Sequence, residues 1–158
     1  ERCPRLRRLA AAGCARLAQL ELAQAAPGIV NVSGCTELSA DALPERLGSL
    51  DVSGCTQLTR LRALPEKRLL ARGCTQLRAD APLDISVLDC RGAPQLARAL
   101  EHEESRVVYL RTDALPPELP DAVLWGLTAL DAPHESVPER FRPKIRRGDA
   151  AWAPFPTK

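Results

Sequence analysis

Three near-identical words divide the middle of the chain: "IVNVSGCTEL" from Ile29 to Leu38, "LDVSGCTQL" from Leu50 to Leu58, and "LLARGCTQL" from Leu69 to Leu77. Their cysteines, Cys35, Cys55 and Cys74, follow Cys14 at steps of 21, 20 and 19 residues. A fixed period near 20 marks a chain built from one small unit. Such a unit cannot bury its own apolar side, so neighbouring units must stack. Ala93, Asp113 and Ala132 continue the count at steps of 19, 20 and 19. Three residues ahead of these positions stand Ala11, Val32, Val52, Ala71, Cys90, Leu110 and Ala129. Five ahead stand Leu9, Val30, Leu50, Leu69, Leu88, Val108 and Leu127, and three behind stand Leu17, Leu38, Leu58, Leu77 and Leu96.

The physical content of this pattern, L-x-x-L-x-[LVA]-x-G-C-x-x-L, is a short strand and a corner. In Leu50-Asp51-Val52 the side chains alternate in, out, in, as on a half-buried strand. Gly34, Gly54 and Gly73 permit a sharp turn after each strand. The turn leaves inward-pointing carbonyls, and a small, mostly apolar side chain with a weak donor suits that place, which a thiol provides. Cys14, Cys35, Cys55 and Cys74 are therefore expected to form a structural ladder. Leu-Pro-Glu at Leu43–Glu45 and Leu64–Glu66 predicts the outer side of each turn, where proline's missing N–H does no harm. Pro94 in "APQLARALEHEES" suits the first turn of a short helix.

Other readings of the cysteines fare worse. Zinc wants ligand pairs two to four residues apart, and none of Cys3, Cys14, Cys35, Cys55, Cys74 and Cys90 has such a neighbour. A disulfide framework is conceivable between stacked turns, but Ala93 and Asp113 occupy the same position with no partner, which suits single thiols. Repeating one cysteine turn after turn has no catalytic logic, and no base repeats with it. His102 and His134 are isolated, and no glycine-rich phosphate loop is present. No metal and no cofactor is expected.

Aromatic residues are 3% of the 158, so Leu and Ala must fill a thin core. The balance of 22 basic and 20 acidic residues gives no charge-based case for a nucleic-acid partner. No apolar run approaches the length of a membrane span. The absence of methionine suggests a fragment of a longer polypeptide.

The quoted residues resemble the leucine-rich-repeat superfamily from about Leu6 to Ala132. The resemblance implies an α/β, right-handed solenoid, with short parallel strands on the concave face and an irregular or short helical convex side. The period and the Leu-Pro-Glu marks look most like the repeats of bacterial type III secreted effectors, where such a domain adjoins a ubiquitin ligase of the novel bacterial class. Those repeats usually carry Asn where this chain has Cys, and the Gly-Cys-x-x-Leu turn also resembles the longer repeats of F-box proteins. The implied setting is a bacterial effector secreted into the host-cell cytoplasm, a reducing compartment that suits free thiols. There this domain would select a host protein for a catalytic domain absent from the fragment. The alternative is an intramolecular role, masking or scaffolding an attached enzyme. The chain itself is expected to be no enzyme, and the ligase's active-site cysteine has no counterpart after Cys90.

Three segments follow: residues 1–26 as an N-terminal cap or first degenerate repeat, 27–132 as the solenoid, and 133–158 as a C-terminal cap and tail, with Phe141 and Trp152 able to cover the last turn. On the concave face, Arg72, Arg91 and Arg111 are expected to stack on successive strands, with Arg68, Asp89, Tyr109 and Trp125 beside them. Like charges directly across strands repel. Either Asp89 and Asp113 neutralise the arginines in a solvated face, or an acidic partner does. Trp125 is either part of this face or a core or cap residue.

Overall fold

A computed structural model describes residues 6–18, 27–39, 43, 44, 46–61, 63–137 and 139. Phe141, Trp152, half of the 1–26 segment and most of the 133–158 segment lie outside the described residues. Seven short strands form one sheet: β1 (Arg8–Ala10), β2 (Ile29–Asn31), β3 (Ser49–Asp51), β4 (Arg68–Leu70), β5 (Asp84–Asp89), β6 (Arg106–Arg111) and β7 (Ala129–Asp131). All pair in parallel, in sequence order. Between β5 and β6 the return path carries helix α1 (Pro94–Ala97), with proline in its first turn, and a 3₁₀ turn, Arg98–Glu101. Between β6 and β7 lies helix α2 (Asp121–Gly126). The result is an α/β fold with a seven-stranded parallel sheet, consistent with a solenoid-like stack.

The register shows what holds it together. Leu9, Val30, Leu50, Leu69, Leu88, Leu110 and Leu130 are direct partners across the sheet. From Val30 to Leu130 these central side chains are at most 2% exposed. Each fully buried leucine contributes about 1.5–3 kcal/mol, and each is buried only because a neighbouring turn covers it.

At the corners two ladders run along the stack. Gly13, Gly34, Gly54, Gly73 and Gly92 all have φ between 65° and 76°, a region that side chains with a Cβ rarely adopt. The first four glycine N–H groups donate to the carbonyls of Ser33, Ser53, Arg72 and Arg91 on the next turn, at 2.6 to 2.7 Å. The cysteines form the second ladder. The thiols of Cys35, Cys55 and Cys74 donate to the carbonyls of Ala11, Val32 and Val52 on the preceding turn, at 3.1, 3.2 and 3.0 Å. All three cysteines have no exposed surface. Cys14 holds the same position in the first turn but is exposed, because no described turn stacks on that side of it.

After β5 the spacing changes. Leu88 pairs with Leu110, a step of 22 residues where the sequence pattern predicts 20. The extra length is taken up by α1 and the 3₁₀ turn. Buried Ser105 fastens this longer return: its hydroxyl donates to the Ala99 carbonyl at 2.7 Å and accepts the Leu83 N–H at 3.0 Å. Val107 and Leu127 consequently fill the first-leucine position, with Leu47 and Ile85, and all four are buried. Val108, expected inside, is 37% exposed, whereas Leu130, expected outside, is 2% exposed. Register accounts for both. Leu110 takes the central place that the count assigns to Val108, which leaves Val108 between the inward positions of Val107 and Leu110. On β7 Leu130 takes the central place, with Leu127 three residues ahead of it.

Candidate functional site

The open face of the sheet is built from side chains that flank the buried central residues. Reading from β1 to β7, the first row is Arg8, Ile29, Ser49, Arg68, Val87, Tyr109 and Ala129. The second is Ala10, Asn31, Asp51, Leu70, Asp89, Arg111 and Asp131. Ser33, Ser53, Arg72, Arg91 and Asp113 make a third row just beyond the strand ends, each placed two residues after a member of the second.

The expected stack of three arginines does not form. Arg72 and Arg91 are neighbours, but the next place in their row belongs to Asp113, whose carboxylate accepts the Gly92 N–H at 2.6 Å. Arg111 stands one row away, between Asp89 and Asp131. The 22-residue step moves it there. Along the second row Asp89, Arg111 and Asp131 therefore alternate in sign. Arg91 clasps Asp89 through two bonds, Nε to Oδ1 at 3.0 Å and Nη2 to Oδ2 at 2.7 Å. Arg111 Nε donates to Asp131 at 2.7 Å. Asp89 is 6% exposed, and its hydrogen bonds hold the Arg91 guanidinium above its ordinary pKa. Arg68, half-buried on β4, has its pKa lowered by burial, against the carboxylates of Asp51 and Asp89, which favour its charge. Arg72 is exposed. Tyr109 lies half-buried in the first row, next to Val87.

Trp125 is not on this face. It belongs to α2, in the return segment, where it is 63% exposed while its neighbours Val123 and Leu124 are buried in the core. His102 is exposed beyond the 3₁₀ turn.

Sequence reasoning missed one recurring device. Asn31, Asp51 and Asp89 each turn a side-chain oxygen back onto the N–H two residues ahead: Ser33 at 3.0 Å, Ser53 at 3.0 Å and Arg91 at 3.3 Å. Short Asn and Asp side chains are suited to such local bonds. The written signal was present as [Asn/Asp]-x-[Ser/Arg]-Gly in "NVSG", "DVSG" and "DCRG". Turn one lacks it, with Ala10 in "AAAG", and turn four lacks it, with Leu70 in "LARG".

The buried thiols supply no nucleophile. Burial pushes Cys55 up to about 12, Cys74 to about 11 and Cys90 to about 12, so they stay protonated at neutral pH, and a thiol is a poor nucleophile in that form. Among the described residues no cluster of three or more His, Cys, Asp or Glu side chains could hold a metal ion, and no helix is long and apolar enough to cross a membrane. The open face is a charge-patterned surface, with Asp89, Arg91, Arg111 and Asp131 held in ion pairs. No family model, no curated protein and no solved structure matches the chain.

Proposed function

We propose that this chain is a right-handed leucine-rich-repeat module that recognises a protein partner through the open face of its sheet. The reading rests on one observation above the others: parallel strands in sequence order present an open face on which Arg68, Arg72, Arg91 and Arg111 stand among Asp51, Asp89 and Asp131. Beneath this face the central residues from Val30 to Leu130 are buried. Right-handedness is the rule for parallel strands joined by crossover segments. Arg and Tyr are enriched among the residues that dominate protein interfaces, and Arg68, Arg72, Arg91, Arg111 and Tyr109 share this face with Asp89. Binding to a preformed surface avoids much of the cost of ordering the side chains that make contact.

The bacterial effector setting, with a host protein as target and a ubiquitin ligase on the same polypeptide, rests on the sequence resemblance. In that setting the module chooses the target and the attached enzyme acts on it.

Site-specific photo-crosslinking tests the recognition reading. A photoreactive residue replacing Tyr109, on the open face, should trap partner protein from host-cell lysate. The same residue replacing Trp125, in the return segment, should trap little. Equal trapping at both positions, or none at Tyr109, would refute the assignment of the binding face.

A further inference from the structure

Turn four differs from its neighbours at the residue that opens its corner. On turn five, one carboxylate does three things: Asp89 accepts the Arg91 N–H at 3.3 Å, its Nε at 3.0 Å and its Nη2 at 2.7 Å. On turn three, Asp51 likewise accepts the Ser53 N–H at 3.0 Å. Turn four keeps the arginine, Arg72, and the glycine corner, Gly73, but carries Leu70 where the carboxylate should be. Among the described residues, neither the Arg72 N–H nor its guanidinium has an acceptor, and both stand at an exposed position. Leu70 is half-buried, and Arg68 lies on the same strand face.

We infer that turn four binds an acidic side chain, Asp or Glu, from an extended segment of a partner protein, with its carboxylate on the Arg72 N–H and guanidinium. The partner would complete from outside the clasp that turn five makes from within. Leu70 offers the apolar contact beside it, and Arg68 adds positive charge across Leu70. Leu70 also has a purely internal rationale: a carboxylate there would stand directly between Asp51 and Asp89 on adjacent strands, and like charges across strands repel. The test must separate these.

The turn-four site rests on the recognition reading and can fail without it. The whole chain, labelled with ¹⁵N, is titrated with a capped, extended hexapeptide of alternating valine and glutamate, and with its glutamine counterpart. The Arg72 amide and Nε–H signals should shift and saturate with the glutamate peptide. Binding of the glutamine peptide should be weaker by about tenfold or more, as loss of a charge-assisted bond implies. Leu70→Asp should move the Arg72 amide signal without peptide and abolish the response, because the internal carboxylate takes the place. Arg72→Gln, at an exposed position, should weaken the glutamate peptide by a similar factor. Three results would overturn the site: equal response to both peptides, no response at millimolar peptide, or shifts elsewhere on the face with Arg72 unmoved. The last would leave the open face as a recognition surface while removing turn four from it.

Discussion

Cys55 is the sharpest probe of the corner. It has no exposed surface, its thiol donates to the Val32 carbonyl at 3.2 Å, and that carbonyl also accepts the Cys35 N–H at 3.2 Å. Cys55→Ala removes one sulfur. Losing the transfer free energy of a methylene-sized group costs about 0.8 kcal/mol, and the small cavity left behind adds about 0.5 kcal/mol. The lost thiol bond sits at the weak end of hydrogen bonds, about 0.5 kcal/mol, because the Val32 carbonyl keeps its backbone donor. The total is about 2 kcal/mol, or a fall in Tm of roughly 4–8 °C for a chain of this size. Cys55→Ser keeps a donor on a shorter arm, so its bond to Val32 is poorer while the hydroxyl pays for leaving water, about 1–3 kcal/mol. Serine should therefore be worse than alanine, in line with Ala93 occupying the same row and remaining 1% exposed. Urea denaturation followed by circular dichroism gives both values, with Cys14→Ala as an exposed control that should stay within about 0.5 kcal/mol. A serine variant as stable as the alanine variant, or more so, would mean that the ladder is held by its donors. Apolar volume would then not be the reason for cysteine at the corner.

Other perturbations follow from the same geometry. With folded pKa values raised to about 12, 11 and 12 for Cys55, Cys74 and Cys90 against an ordinary 9.0, the unfolded chain loses its thiol protons first. Stability should be level below about pH 9 and fall between pH 9 and 12, by up to about 1.4 kcal/mol per unit for each buried thiol; equilibrium denaturation across that range would show it, and a flat profile would contradict it. Iodoacetamide at pH 8 should label Cys14 and spare Cys35, Cys55, Cys74 and Cys90 in the native protein, as peptide mapping by mass spectrometry would reveal. Gly54→Ala should cost about 1–2 kcal/mol from its φ of 76°, because its new Cβ would meet nothing closer than 3.6 Å. Gly48→Ala should fail for a different reason, since its Cβ would stand 2.7 Å from the Gly28 carbonyl oxygen, and thermal melts should rank it the more damaging. Asp89→Ala strips Arg91 of both side-chain bonds and its N–H acceptor, which should cost about 2 kcal/mol; a loss under about 0.5 kcal/mol would mean that solvent replaces the clasp without penalty.

Most of the architecture was written in the chain, because a repeat repeats its physics. The Gly-Cys words from Cys14 to Cys74 mark one corner per turn, and a parallel stack follows from the strand-sized alternation around Val30, Leu50 and Leu69. The short helix after Pro94 was also legible, since proline with its fixed φ suits a first helical turn. Helix α2 was not: a six-residue segment is too short to show a helical period.

Repetition alone dictates where turns one to five meet, since glycine and leucine recur there at fixed offsets, with cysteine through turn four, that only one register can satisfy. Beyond Ala93 those markers stop, and "RVVYLR" contains apolar residues at neighbouring positions that fit more than one alignment. Packing between turns chose among them. The β5–β6 pairing placed Val107 and Leu110 inside, sent Val108 outward, and set Arg111 between Asp89 and Asp131 instead of on top of Arg91. The charge pattern of the open face is thus a property of register. Register in an unmarked strand is chosen by which side chains the neighbouring turn can bury, a choice that no stretch of the chain makes alone.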